Sequence, residues 1–307
     1  MVKRIAIMAL LVAATLASGQ WLGEKLSMLD TFGIPAGYQS FAYNRQNHTV
    51  YLSGDESDSI LVIDADRCKS IARVGAGRPV GAMCYNPAEN KLYCAYAYTD
   101  TVAVFDGTSD QILAKIGVDD TVWLFCYDSI DNKLYVGGWR DSGLVGVIDC
   151  QVDSLVAWVE GSGSYPSDMC FVGAHRTIYV MGDDDNTVVA IDCSADTVLA
   201  RIPLAHAASS LCYNATNDRV YCGCWSHVIY GIDASTNQVV SAIERKGIGL
   251  ACDPARNVLF TQYGDSLFVV DCGAGAVLCA VKLPSAGGAV MGYDLLGHKI
   301  YVAQDGG

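Results

Sequence analysis

Residues 82–118 read AMCYNPAENKLYCAYAYTDTVAVFDGTSDQILAKIGV, and this stretch decides the fold. An apolar strand at 82–85 is stopped by Asn86 and Pro87, and the turn 87–90 leads into a second strand at 91–97. Thr99 and Asp100 reverse the chain into a third strand at 101–105, residues 106–110 make the next turn, and a fourth strand follows at 111–118. Turn-forming Pro, Asn, Asp and Gly fall where strands must reverse, and the runs between them are short and rich in Val, Ile and Tyr. A helix would need apolar residues at i, i+3, i+4 and i+7 over several turns, and no segment after the N-terminal leader supplies them.

The same unit repeats along the chain. Tyr51, Tyr93, Tyr135, Tyr179, Tyr221, Phe260 and Tyr301 hold one place in it, at spacings of 42, 42, 44, 42, 39 and 41 residues. Asp64, Asp106, Asp149, Asp192, Asp233 and Asp271 run in phase, each closing an apolar alternating run such as LVIDAD or VVAIDC. That period fits one four-stranded blade of a propeller. The prediction is therefore an all-β fold, a seven-bladed β-propeller of four-stranded antiparallel blades. First strands begin near Gln39, Val80, Thr121, Ser167, Ala208, Gly249 and Ala289, which places the blades near 38–78, 79–118, 119–163, 164–205, 206–247, 248–287 and 288–307. Residues 20–307 form one domain without a linker.

The ends depart from the pattern. The last copy carries two strands, GAVMGYD and KIYVAQ, and the printed sequence stops at Gly307, so the last blade is expected to be incomplete and the chain a fragment. Residues 20–37, with WLGEKLSMLDTF, are expected to lend it an outer strand, because closure removes free sheet edges. Residues 1–19 read as a secretory signal peptide: Lys3 and Arg4, then the apolar run 5–16, then Ala17-Ser18-Gly19. That run is shorter than the roughly 20 residues of a spanning helix, so no transmembrane span is expected in the mature protein, which is secreted, periplasmic or at the cell surface.

Loss of Lys3 and Arg4 takes the formal charge from -13 to -13 − 2 = -15, a surface that disfavours nucleic acid. Among the 13 Cys, Cys84, Cys126, Cys170 and Cys212 hold one place in successive first strands, and Cys150, Cys193 and Cys272 follow the closing Asp. Equivalent places in neighbouring blades sit apart around the ring, so these read as small buried hydrophobes rather than disulfides. Cys222 and Cys224 are read as pointing to opposite faces of one strand.

Side chains with chemistry are sparse. The five His occur singly, with His48, His175 and His298 just before second strands, and no zinc spacing, GxSxG elbow, Walker sequence or dinucleotide fingerprint is present. The face formed by second-to-third turns and blade connections carries the more unusual residues: Tyr98, Trp139, Arg140, Trp225 and His227 in or beside the turns, which are the predicted ligand-binding set, and Arg78, Asp119, Asp120, Tyr165 and His206 in the connections. Exposed aromatics with scattered charge suit a protein or carbohydrate partner. No cofactor is expected. The acidic turns with Asp55, Glu56 and Asp58 and with Asp183, Asp184 and Asp185 offer Ca²⁺-type oxygens, with a solvated turn as the plainer reading and weak Ca²⁺ binding as the alternative.

Arg78-Pro79-Val80-Gly81, then CYNPAENKLYCA, then DTVAVFDGTSDQILAKIGV resembles the YVTN family of β-propeller repeats of bacterial and archaeal surface or secreted proteins, over residues 38–307. Tyr-Val-Thr-Asn is replaced by Tyr93-Cys94-Ala95-Tyr96 and by Tyr135-Val136-Gly137-Gly138. The resemblance implies an exported noncatalytic scaffold that binds protein or carbohydrate at the cell surface or envelope. It also points to neighbouring seven-bladed groups, the lactonases, streptogramin lyase-like proteins and quinone-dependent dehydrogenases. The alternative function is accordingly a hydrolase or lyase of the lactonase-like or streptogramin-lyase-like type, using loops on one face.

Overall fold

A computed structural model describes residues 38–54, 57–67, 69–138, 143–162, 165–182, 186–245, 247–283, 289–294 and 299–304. Six four-stranded antiparallel sheets follow one another at 38–75, 80–117, 122–160, 166–203, 208–243 and 248–282, each pairing its strands in chain order. The first strands lie side by side around a common axis. Strands Ala289–Asp294 and Lys299–Gln304 form a two-stranded hairpin whose first strand lies between those of blade 6 and blade 1, closing the ring.

The expectation of seven blades is thus corrected to six. The seventh repeat is a hairpin because its sequence holds only two period-2 runs, and among the described residues no strand pairs with its outer edge. A repeat marker locates the strand that carries it and does not guarantee its neighbours. The signal peptide (1–19) and the segment 20–37 lie outside the described residues.

The repeat tyrosine explains why the blades pack. Tyr93, Tyr135, Tyr179 and Tyr221 are fully buried, and each hydroxyl reaches the third-to-fourth turn of the next blade. Tyr93 Oη donates to Asp153 (2.6 Å), Tyr179 Oη to Asn237 (2.6 Å) and the Ala234 carbonyl (3.2 Å), and Tyr221 Oη to the Cys272 carbonyl (3.0 Å). Tyr135 makes the same bond to Asp196. Lys91 and Lys133 add Nζ bonds to the same two turns, at 2.9 Å to Asp153 and 2.7 Å to Asp196. Blade 6 carries Phe260, and the hairpin beyond it offers no third-to-fourth turn among the described residues, so a buried hydroxyl at that place would lack this acceptor.

The in-phase aspartates hold the turns themselves. Asp64, Asp106 and Asp233 each accept backbone N–H bonds from residues two and three further on. Such Asx turns fix the reversal locally; the backbone bonds hold the carboxyls of Asp64 and Asp106 below the usual carboxylate range, and hydroxyl bonds, from Ser194 to Asp192 and from Ser235 and Thr236 to Asp233, together with backbone N–H groups, do the same there. On the same face the residue before the second strand is left-handed: His48, Asn90, Asn132, Arg176, Asp218 and Asn257 have φ between 50° and 54°. His175 therefore sits one place earlier than His48 in its repeat, and His298 lies outside the described residues.

Bulges appear twice in every complete blade. The first strand skips one residue in its pairing, at Gln39, Gly81, Trp123, Ser167, Ser209 and Gly249. The outer strand skips Ile71, Leu113, Val156, Leu199, Val240 and Leu278. Five of these outer residues, Ile71 to Val240, are exposed. The twelve described cysteines are free thiols. Cys222 and Cys224 lie in one core cluster with Met181, which corrects the opposite-face reading: residues two apart on a strand share a face.

Replacing Tyr179 with Phe should destabilise the ring by about 1–2 kcal/mol, since it removes the hydroxyl and leaves Asn237 and the Ala234 carbonyl short of a donor. Urea unfolding of Tyr179→Phe against the parent checks this, with Phe260→Tyr expected to give no compensating gain.

Candidate functional site

First strands enter from the face of the second-to-third turns, so their bulges ring the axis at that face. The bulge residue of blade 3 is Trp123, whose ring lies beside Gly81: a Cβ at Gly81 would meet the indole at 3.6 Å. Tyr98, 70 % exposed and left-handed with φ 59°, sets its ring edge-on to Trp123 with centroids 5.5 Å apart. Across blades 5 and 6, His227 (φ 35°) packs edge-on to the exposed Tyr263 at 6.0 Å. Trp225 is 55 % exposed, and its N–H donates to the Ala207 carbonyl at 3.2 Å, which ties its turn to the connection into blade 5. In that connection His206 Nδ1 lies 2.8 Å from Tyr230 Oη.

Of the predicted set, Tyr98, Trp225 and His227 are exposed on one face, on blades 2 and 5. Trp139 and Arg140 lie outside the described residues, as do Asp55, Glu56 and Asp183, Asp184 and Asp185. Among the connection residues Arg78 and Asp119 are exposed, Tyr165 is left-handed, and Asp120 is buried. A side chain at Gly138 would come within 2.2 Å of Asp120 Oδ2, and one at Gly137 within 2.9 Å of Pro166 Cβ, so blade connections occupy the room of the missing side chains and account for Gly137-Gly138.

One layer further along the first strands lies a polar set that sequence reading missed. Ser40, Asp168 and Ser210 each follow a bulge in the first strand, and Ser53 and Thr261 stand at the paired height on second strands. Ser40 Oγ accepts from Met83 N at 2.8 Å, which joins blade 1 to blade 2. Asp168 makes the same junction between blades 4 and 5: Oδ2 accepts from Leu211 N at 2.7 Å and Oδ1 from Met169 N at 2.8 Å. The Ser209 hydroxyl lies 2.9 Å from the Gly247 carbonyl and 3.0 Å from that of Gly223. The hydroxyls of Ser53, Ser210 and Thr261 are buried with no hydrogen-bond partner among the described residues.

Asp168 is the chemically distinctive member of this layer. Part of the residue is exposed, but its carboxyl is enclosed, and burial pushes it up to about 6 against the pull of the two backbone N–H groups. Its signal in the sequence was a charged residue inside the otherwise apolar entry strand PSDMCFV. Among the described residues no group of three or more His, Cys, Asp or Glu is arranged to hold a metal ion. No described helix is long and apolar enough to cross a membrane.

No family model matches the chain, and no curated protein does. Among solved structures, it is similar to a chain of Kuenenia stuttgartiensis hydrazine synthase, with a TM-score of 0.73 at 14 % identity over 87 % of this chain and 95 % of that one. What is shared is the fold. The structure is a ring-shaped all-β propeller, and YVTN membership stays a resemblance at the level of the repeat.

Because the folded carboxyl of Asp168 titrates above the unfolded value near 3.9, the native state holds the proton more tightly and stability falls as pH rises from about 4 to 6. The expected loss is on the order of 3 kcal/mol. Urea midpoints from pH 4 to 7.5 should show the parent losing that much relative to Asp168→Asn, with the difference flat above about pH 7.

Proposed function

We propose that the bulge-side mouth of this ring is a reaction site of the hydrolase or lyase kind, with Asp168 as its acid–base group. The observation that carries the reading is an enclosed carboxyl on the innermost strand of blade 4, pushed up to about 6 with no cation among its described partners, in one layer with the hydroxyls of Ser53, Ser210 and Thr261, which lack partners among the described residues. A carboxyl with that affinity exchanges a proton at neutral pH, as general acid–base chemistry requires. Buried hydroxyls without partners favour a small polar ligand that would satisfy them. Tyr98 and Trp123 supply an apolar wall at the rim, as small-molecule sites use. The hydrazine synthase chain lends further support, since 95 % of its length matches a ring of this shape and it belongs to an enzyme.

A second reading has its own observation. Tyr98, Trp225 and Tyr263 are large, exposed and on the same face, which suits an exported noncatalytic scaffold binding protein or carbohydrate. In both readings the chain is exported through the segment 1–19 and resembles YVTN-type surface propellers in its repeat.

Purified mature protein assayed on a panel of lactones and esters, with and without Asp168→Asn, separates the two. The catalytic reading expects turnover whose pH profile has an arm near 6 and a fall of about 10²-fold or more in Asp168→Asn. Absence of turnover, with glycan or protein binding that survives Asp168→Asn and is lost in Tyr98→Ala, would overturn it in favour of the scaffold.

A further inference from the structure

The geometry points to Cys212 and Cys252 as an oxidisable pair that can staple blade 5 to blade 6 through a disulfide. The two residues lie on first strands that run side by side around the axis. Cys252 belongs to the apolar cluster that fills the junction of these blades, with Tyr221, Leu259 and Cys272, and Cys212 packs against it from blade 5. Burial first, and then the neighbouring Cys252 thiol, push the Cys212 thiol above its ordinary range. Cys212 is partly exposed and Cys252 is buried, so Cys212 is the nearer of the two to solvent, although its thiol is enclosed and an oxidant reaches it only when the junction opens.

This arrangement differs from the rest of the cysteine set. Cys222 and Cys224 also share a face, but two steps along one strand put Cα atoms about 6.6–6.8 Å apart, at the upper limit for a disulfide, and both are fully buried. Cys84, Cys126 and Cys170 follow the same place in successive blades, whereas Cys252 is one residue further along its strand than that place, pairing with Leu259 where Cys212 pairs with Tyr221. That offset gives Cys212 a neighbour its counterparts lack in sequence.

The chemistry needs a two-electron acceptor, and a small-molecule disulfide such as oxidised glutathione supplies it. The Cys212 thiolate attacks that disulfide, forming a mixed disulfide and releasing one small thiol. The Cys252 thiolate then attacks the Cys212 sulfur and releases the second. Two cysteine sulfurs are oxidised, one external disulfide is reduced, and both protons leave with the small thiols. Burial pushes the Cys212 thiol well above its ordinary range, so the first step is slow at neutral pH. An exported chain would meet oxidising conditions for long enough to complete it.

Trypsin separates the partners: peptide 202–219 contains Cys212 as its only cysteine, and peptide 247–256 contains only Cys252. Native protein incubated with oxidised glutathione should give a cross-linked pair of these peptides by mass spectrometry, reversed by dithiothreitol. The melting temperature should rise by about 5 °C, because the bridge closes a loop of 252 − 212 = 40 residues. Cys212→Ser should give neither the link nor the rise, and Cys252→Ser should stop at glutathionylated Cys212. Recovery of both peptides unlinked from the oxidised parent, whether free or singly glutathionylated, overturns the proposal.

Discussion

The tyrosine hydroxyl that crosses from one blade to the next is the interaction on which the rest of this ring depends. A radial sheet has two flat faces, and both must be buried against neighbours whose positions are fixed to within a hydrogen bond. Tyr93, Tyr135, Tyr179 and Tyr221 fill the wedge with a ring and pin its outcome with a polar tip aimed at one turn of the following blade. The acceptors exist because the third strand ends in an aspartate that shapes that turn. Both repeat markers are therefore two halves of a single inter-blade device, which is why they run in phase along the chain.

That device also explains how much of the fold could be read before any coordinates. The period of Tyr and Asp, the short alternating runs and the Asn-Pro turns locate strands and their order, because each is a local consequence of residue type. The number of complete blades is not local. A marker at Tyr301 names a second strand, and whether third and fourth strands accompany it depends on chain that the marker says nothing about. The conformation of Cys222 and Cys224 was also within reach, since strand geometry alone puts alternate residues on one face.

The candidate site was less legible for a different reason. Tyr98, Trp225 and His227 stand out by size and position, and the face they occupy follows from strand direction. Trp123 and Ser209 acquire their roles from a bulge, which is a backbone irregularity with no residue signature of its own. Asp168 was visible as a charge in an apolar strand, but its raised proton affinity comes from enclosure between two blades, and Ser40 at the equivalent place does the same bonding with an uncharged hydroxyl. Sequence shows which groups are present, and the ring decides which of them are desolvated.

The outer-strand bulges carry a consequence for the free molecule. Among the described residues, no strand pairs with the outward edge of the fourth strand in any of the six complete blades. An unbroken edge of this kind invites a strand from another molecule, and rings joined rim to rim would grow into insoluble sheets. Skipping one residue at Ile71, Leu113, Val156, Leu199, Val240 and Leu278 puts the edge out of step at mid-length, so a regular visiting strand loses register after a few bonds. The irregular edge thus disfavours such pairing at a rim whose apolar side chains Ile71, Leu113, Val156, Leu199 and Val240 are exposed.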